Sequence, residues 1–324
     1  MPAPLAEKGC PDRQARGEES LIVLDASFVA DPMPFELIVY RPRGRPPVTV
    51  DEVDRIVDQL PHFTKEELGG NRVQWRYKNP ETGVHFGIKY DPEQRHQAQF
   101  EWNDSPVSIS MALGRPMYFG QEATPLIDMI LKNLNLAVQD VQKTALYRQP
   151  AKLTGEQIRE SWEKSNAEES SAILAADKRV TKATREKMDY FWGFTSAKAK
   201  LQESYGPDVL VPSINLHRGR ENAVKTSCIW PDSAKVALPE VDFVLVQRVQ
   251  KSLLSKTTVS GAAVYARIAE ILKPRSEEKT DPVRHLFFNQ APDKGLLQYL
   301  SEMKLYSIKS YPKVSPDEVV EIGK

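Results

Sequence analysis

The alternation of hydrophobic and polar positions is clearest between Arg72 and Asp140. In the run RVQWRYK, Val73, Trp75 and Tyr77 alternate with polar residues, which is the period of a strand with one buried face. A turn sequence, NPETG, follows. The same alternation then predicts the rest of a four-stranded antiparallel meander, with apolar positions at Val84, Phe86, Ile88 and Tyr90, then Phe100 and Trp102, then Val107, Ile109 and Met111.

A helical period replaces this alternation after the meander. Its apolar positions in Gln121–Leu134 are three or four residues apart, at Leu126, Ile127, Ile130, Leu131 and Leu134. We therefore expect one amphipathic helix that covers the buried face of the sheet, followed by a closing strand.

Shorter patterns precede the meander. Leu21–Asp25 and Phe35–Tyr40 are apolar runs typical of strands, and the proline-rich Arg41–Pro47 predicts a loop. Thr49 is suited to cap a helix over Val50–Leu60. A strand followed by a helix in this way predicts the start of an α+β domain.

The pattern changes again after residue 150, where charged, Ser and Ala residues dominate. Thr154 and Gln157 form a capping-box pattern, and a second helix is predicted over Thr181–Ser204. A further α+β unit follows, with strands predicted at Val209–Leu216, Ala223–Trp230, Val241–Arg248 and His285–Asn289, and helices at Val259–Leu272 and Asp293–Met303.

The predicted fold class is therefore α+β, with an antiparallel meander sheet, helices on one face of it, a helical connector and a second, smaller α+β unit. The predicted divisions are a flexible leader over 1–20, an N-terminal domain over 21–149, the connector over 150–206 and the C-terminal unit over 207–324.

The amino-acid composition of the chain disfavours several classes of function. Lys plus Arg and Asp plus Glu each number 44, so the formal net charge is zero, which disfavours nucleic-acid binding through bulk charge. No run of about 18 apolar residues occurs, and the two cysteines are far apart in sequence. We expect a soluble, cytoplasmic protein without a membrane span. GxxxxGK[ST], GxGxxG, HExxH and GxSxG are all absent, so we predict no cofactor and no catalytic residues.

The polar side of the predicted meander is the candidate binding surface. Arg76, Lys78, His85 and Lys89, together with Glu101, would form a mixed-charge face if the strands pair in sequence order. The alternative is a solvated face, since antiparallel sheets commonly have one. RNA binding is disfavoured because the aromatic residues lie on the other face.

An enzymatic alternative rests on two carboxylates. Asp232 and Asp242, ten residues apart, resemble in outline a nuclease site in which two carboxylates bind Mg²⁺. That pattern also needs a lysine two residues after an acid on the second strand, and this chain has only Arg248 further along. The other interpretation is a turn aspartate and a strand-edge aspartate.

Two runs, Arg115–Asp140 and Gly206–Arg248, resemble those of a group of bacterial α+β proteins without assigned function, which occur as several diverged copies in one genome. The resemblance covers about residues 35–250 and rests on packing and turn residues. Such proteins are similar in style to the immunity proteins of toxin systems. The resemblance implies a non-catalytic protein that binds a cognate protein, with an immunity-type inhibitor of a toxin as its specific form. A scaffold subunit is a third hypothesis.

Overall fold

The computed structural model describes residues 34–94, 101–232, 234–251 and 256–323, without the side chains of 249–251 and 256–259. The predicted leader and the strand predicted at Leu21–Asp25 lie outside these residues, as does Phe100. The described elements contain both helices and several sheets, which confirms the α+β class.

An antiparallel sheet of six strands forms the N-terminal part of the described chain. Its strand order is β2-β3-β4-β5-β1-β6, and each neighbouring pair is antiparallel. The strands are β1 (Phe35–Pro42), β2 (Phe63–Gly69), β3 (Arg72–Lys78), β4 (His85–Tyr90), β5 (Trp102–Met111) and β6 (Ala137–Asp140).

Two helices, α1 (Val50–Val57) and α2 (Tyr118–Asn133), pack on the apolar face of this sheet. Thr49 caps α1 in a capping box with Glu52, as its position predicts. Trp75 projects from that face and donates from its indole Nε1 to Asp54 in α1 at 2.7 Å. The predicted covering of one sheet face by helices is therefore confirmed.

The middle of the chain consists of α3 (Gly155–Ala176), β7 (Thr181–Thr184) and α4 (Arg185–Tyr205). The capping box of Thr154 and Gln157 begins α3, as predicted. Close contact between α2 and α3 depends on Gly120, where a Cβ would lie 2.7 Å from the Trp162 ring.

Two further four-stranded sheets and a strand pair complete the fold. Their orders are β13-β12-β10-β9, β14-β15-β11-β8 and β16-β7. The elements are β8 (Val209–Leu210), β9 (Asn215–Arg218), β10 (Val224–Pro231), β11 (Lys235–Pro239), β12 (Phe243–Lys251), β13 (Lys256–Val264), α5 (Tyr265–Leu272), β14 (Glu277–Lys279), β15 (His285–Phe288), α6 (Lys294–Glu302) and β16 (Val319–Ile322).

Several predicted elements are wrong in extent. The helix predicted over Val259–Leu272 begins only at Tyr265, because its first half continues β13 against β12. Likewise β7 precedes α4 within the helix predicted over Thr181–Ser204. The predicted strands at Phe100–Trp102 and Val107–Met111 correspond, in the described residues, to one strand, β5.

Buried hydrophobic residues from Phe35 to Val319 form one core cluster, and the described residues belong to one compact unit. The predicted divisions after residues 149 and 206 fall between elements, β6 and α3 in one case and α4 and β8 in the other. Among the described helices, none combines the length and the apolar character that a membrane crossing requires.

Candidate functional site

The polar face of the six-stranded sheet brings four of the five predicted binding residues together. In the pairing of β3 with β4, Lys78 lies opposite His85, Arg76 opposite Gly87 and Gln74 opposite Lys89. The alternate pairs contain Val73, Trp75 and Tyr77, which are buried on the opposite face. We call the polar side of β3, β4 and β5 the open face; its residues are Gln74, Arg76, Lys78, His85, Gly87, Lys89, Ser108 and Ser110.

Small side chains form the floor of the open face. Ser108 and Ser110 of β5 lie opposite Lys89 and Gly87 of β4. A Cβ at Gly87 would lie 3.1 Å from the Gln74 amide nitrogen and 3.3 Å from the Ser110 hydroxyl. The long side chains of Arg76 and Lys89 therefore stand above a low centre, which gives the face a shallow relief.

Two cations of the open face, Arg76 and Lys89, are paired with neighbouring carboxylates, and the pair of Arg76 is exposed on both sides. Arg76 contacts Glu66 of β2 at 3.1 Å, with 56% and 51% of the two side chains exposed. Lys89 contacts Asp91 at 3.1 Å, and its hydrogen bond lowers the pKa of that carboxyl. An exposed pair such as Arg76 with Glu66 contributes only about 0–1 kcal/mol to stability. A partner can therefore exchange the Arg76–Glu66 pair for an intermolecular pair at small cost.

The other predicted residues differ in their placement. His85 lies at the rim of the open face, where its Nδ1 is 3.1 Å from the Gly83 carbonyl oxygen and its ring packs edge-on against Phe119 of α2. Glu101 is not part of this face. It precedes β5 by one residue and lies seven residues from Ser108, which corresponds to about 20 Å along an extended strand.

A support for the open face that the sequence did not reveal is Glu122 of α2. Its Oε1 accepts hydrogen bonds from Tyr77 Oη, Asn79 Nδ2 and Thr82 Oγ1 at 2.9, 2.9 and 3.0 Å. Its Oε2 accepts from Trp192 Nε1 at 2.8 Å. This one carboxylate therefore joins the β3–β4 hairpin to α2 and α4. Burial and the charge of Glu122 raise the pKa of Tyr77, so its phenol remains a donor.

The two aspartates of the predicted nuclease site lie apart. Strands β10 and β12 are parallel, with Ser227 opposite Phe243 and Pro231 opposite Gln247. Asp242 precedes β12, whereas Asp232 follows β10, so about six residues, or roughly 20 Å, separate their levels along the strands. One metal ion cannot bind both carboxylates in this arrangement.

Asp242 instead lies between two lysines. Its carboxylate accepts hydrogen bonds from Lys187 Nζ at 2.8 Å, Lys225 Nζ at 3.0 Å, and the backbone N–H and hydroxyl of Thr226 at 2.8 and 3.0 Å. Burial raises the pKa of Asp242, but the bonds from Lys187 and Thr226 outweigh burial and lower it overall. The cluster lines an open cleft of about 460 Å³ beside Tyr190 and Glu240.

A buried serine–histidine pair has the hydrogen bonds of a nucleophile and its base but no access for a substrate. Nε2 of His217 lies 2.8 Å from Ser227 Oγ, and Nδ1 lies 3.1 Å from the Tyr311 carbonyl oxygen. The exposed fraction is 3% for His217 and zero for Ser227. The pair therefore links β9, β10 and the C-terminal segment as part of the core.

Within the described part of the chain, no three His, Cys, Asp or Glu side chains are grouped in a way that could hold a metal ion. Comparisons of this chain with protein-family models, with curated proteins and with solved structures found no match.

Proposed function

We propose that this protein binds a partner protein through the open face of its six-stranded sheet, and that it acts as a binding protein and not as a catalyst. The observation that carries the proposal is the convergence of Arg76, Lys78 and Lys89 on one face of two adjacent strands. Two of these cations contact carboxylates, and the half-exposed Glu66 is one that an incoming partner can replace.

The charge pattern of the open face favours a protein as the partner. Arg76 and Lys89 lie beside Glu66 and Asp91, so positive and negative groups alternate over a short distance. Nucleic acid presents only negative charge and would meet the two carboxylates unfavourably. A protein surface can present both signs in register, and this complementarity supplies specificity and a fast association rate.

The specific form of the proposal is an immunity-type inhibitor that covers the active site of a cognate toxin. Its support is the resemblance of the runs Arg115–Asp140 and Gly206–Arg248 to multi-copy bacterial α+β proteins. The shallow open face suits this role, because it can cover the convex rim around an active site.

The test compares charge reversal on the open face with a matched reversal elsewhere. The double variant Arg76→Glu and Lys89→Glu replaces two exposed, paired cations. The control is Lys132→Glu on α2, because Lys132 is also exposed and also pairs with a carboxylate, Asp128, at 2.7 Å. All three proteins are tagged, expressed in the native host and purified in mild salt, and the co-purified proteins are identified by mass spectrometry.

We expect a stoichiometric partner with the wild type and the control, and its loss with the double variant. If that partner is toxic when expressed alone, the wild type but not the double variant should rescue growth, which tests the inhibitor form. Equal recovery of the partner by all three proteins would exclude the open face. A partner without toxicity would retain binding and exclude the inhibitor form.

A second candidate is an enzyme centred on Asp242, favoured by the open cleft in which this carboxylate lies beside Lys187 and Lys225. In the metal-dependent nuclease form, Mg²⁺ or Mn²⁺ would have to displace Lys187 and Lys225 from Asp242, and its binding would raise the melting temperature. Asp242→Asn should abolish this rise, whereas Asp232→Asn should not, because Asp232 lies far along the strands. The absence of any shift at millimolar metal would exclude the metal-dependent form.

A further inference from the structure

The positive charge of the open face is concentrated on β3 and β4. Because alternate side chains of a strand share a side, Arg72, Arg76 and Lys78 all project to the open side of β3, and all three are exposed. Lys89 of β4 lies opposite Gln74, so it is level with the middle of the stretch between Arg72 and Arg76. The four cations lie on two adjacent strands, and we call them the basic cluster.

The geometry of the sheet sets the spacing of the basic cluster. Arg76 and Lys78, two residues apart on one strand, are separated by roughly 7 Å. Arg72 and Arg76 are the diagonal neighbours of Lys89, at about 7–8 Å. Carboxylates two residues apart on an extended segment, or three or four apart on a helix, are separated by about 5–7 Å. One acidic segment lying along β3 can therefore contact several of these cations at once.

Two carboxylates lie beside the basic cluster and are too few to balance it. Glu66 of β2 pairs with Arg76 and is 51% exposed, whereas Asp91 pairs with Lys89 and is only 14% exposed. The hydrogen bond from Lys89 and the charge of Arg72 both lower the pKa of the Asp91 carboxyl, so this group is ionised at neutral pH. Four cations and two carboxylates leave a net charge of +2 on this part of the face.

Other carboxylates on the same side of the sheet lie outside the basic cluster. Glu36 of β1 is opposite Ser110 of β5, which places it two strands from β4. Asp104 lies beyond the end of β4, where the last pair with β5 is Tyr90 with Val107. The excess of positive charge is therefore local to β3 and β4, although the net charge of the whole chain is zero.

We propose that the partner of the open face is a protein whose contacting segment is acidic, with carboxylates that pair with Arg76, Lys78 and Lys89. This inference rests on the proposed function and adds the sign of the partner's surface. Lys78 has no ion-pair partner among the described side chains, and the exposed Arg76 exchanges Glu66 for a new carboxylate at small cost. Complementary charge of this kind gives specificity and a fast association rate.

The sign of the charge also limits the class of toxin in the inhibitor form. An enzyme that acts on nucleic acid binds a polyanion, so its active site is rimmed by Lys and Arg side chains. Such a rim would face the basic cluster with like charge, which weakens binding. The cognate toxin therefore acts on a substrate other than nucleic acid.

The test measures the binding of charged probes to the purified full-length protein. Fluorescein-labelled poly-L-glutamate, poly-L-lysine of equal length and a single-stranded oligonucleotide are titrated, with fluorescence anisotropy as the readout. The double variant Arg76→Glu and Lys89→Glu reverses half of the basic cluster, whereas Glu66→Lys removes its exposed carboxylate and adds a cation. Lys132→Glu is the matched control on α2, and circular dichroism verifies that each protein is folded.

We expect poly-L-glutamate to bind the wild type and Lys132→Glu equally, the double variant about tenfold more weakly, and Glu66→Lys about threefold more tightly. No binding of poly-L-glutamate to the wild type, or equal binding to the double variant, would overturn the inference. Tighter binding of poly-L-lysine would overturn it as well. An oligonucleotide that binds more tightly than poly-L-glutamate, and only when the basic cluster is intact, would identify nucleic acid as the occupant and overturn the protein partner.

The partner recovered from the native host separates this inference from the proposed function. We expect that partner to carry net negative charge, to be recovered in larger amount by Glu66→Lys, and to have no activity on nucleic acid. A partner that requires Arg76 and Lys89 but degrades nucleic acid would overturn the inference and leave the proposed function intact. Recovery of the partner by the double variant would overturn both.

Discussion

The carboxylate of Glu122 provides the sharpest test of how the candidate surface is supported. It accepts hydrogen bonds from Tyr77, Asn79 and Thr82 in and around the β3–β4 hairpin and from Trp192 in α4. Glu122→Leu keeps a side chain of similar length and good helix propensity but removes every acceptor. The donors then have no partner, whereas the helix itself is unchanged.

The expected cost follows from the burial of the donors. Tyr77 and Thr82 are 4% and 1% exposed, so neither donor can recover a bond to water without opening the hairpin. A buried donor without a partner costs about 1–3 kcal/mol, and with the two half-buried donors we expect Glu122→Leu to lose about 4 kcal/mol. A domain has about 5–15 kcal/mol of stability in total, so this loss is a large fraction.

Glu122→Gln should cost less, about 1–2 kcal/mol, because its amide keeps one carbonyl acceptor and presents an N–H₂ group in place of the other oxygen. The free energy of unfolding is measured by urea denaturation with far-ultraviolet circular dichroism. Glu160→Leu is the control, because Glu160 is exposed on α3 and should change stability by under about 0.5 kcal/mol.

A double-mutant cycle with Trp192→Phe separates the bond to α4 from the rest. If Glu122 and Trp192 interact as the 2.8 Å distance indicates, their combined loss should differ from the sum of the single losses by about 0.5–3 kcal/mol. A loss below about 1 kcal/mol for Glu122→Leu, with an unchanged slope against urea, would refute the reasoning, because the donors would then not depend on this carboxylate.

Three further predictions concern other polar groups of the core. Burial lowers the pKa of both His217 and His285 below the usual 6.5, so the unfolded chain takes up protons first. The stability that these neutral histidines contribute is complete above about pH 6.5 and is lost as pH falls toward their folded-state pKa values. Urea denaturation should therefore give a lower free energy of unfolding at pH 5.5 than at pH 7.5, and His217→Asn should make this difference smaller. Asp242→Asn leaves two ammonium groups facing one another without a carboxylate, so we expect a loss of about 2 kcal/mol in the same assay, and no loss would contradict the assigned contacts. Arg248, 7% exposed, donates to the Ser301 and Met303 carbonyl oxygens at the end of α6, so Arg248→Met should cost about 1–2 kcal/mol and speed hydrogen exchange in α6 more than in α1.

Local patterns are sufficient for much of the N-terminal part of the fold. The cap at Thr49 and the capping box at Thr154 begin α1 and α3 as predicted, since a cap is made within four residues of sequence. The alternation in β3 identifies its buried and polar faces, and this also places Arg76 and Lys78 on the same side.

Local patterns miss the elements whose stability comes from distant partners. Strand β2 is polar because it is an edge strand, so its sequence has no apolar alternation. Strand β11, which lies between two predicted strands and was not itself predicted, is only five residues long and is buried by pairing with β15, some fifty residues later. The end of β13, which contains Ala and Gly residues, was predicted as the first part of a helix. Its pairing with β12 keeps this segment extended.

The same distinction applies to the candidate sites. The basic residues of the open face come from two strands joined by one turn, so the register of a single hairpin is enough to bring them together. Glu101 would lie on the open face only if the third predicted strand were short and ended beside β4. Strand β5 is instead ten residues long, and Glu101 precedes its first residue, far from the open face. The cleft around Asp242 takes Lys187 from α4 and Lys225 from β10, and the support at Glu122 takes Trp192 from seventy residues away. A local sequence pattern cannot predict such contacts, because they depend on how distant elements pack and not on the spacing of residues along the chain. A charged residue within a predicted element is therefore assigned reliably to a face, whereas its partner across the core becomes known only from the packed structure.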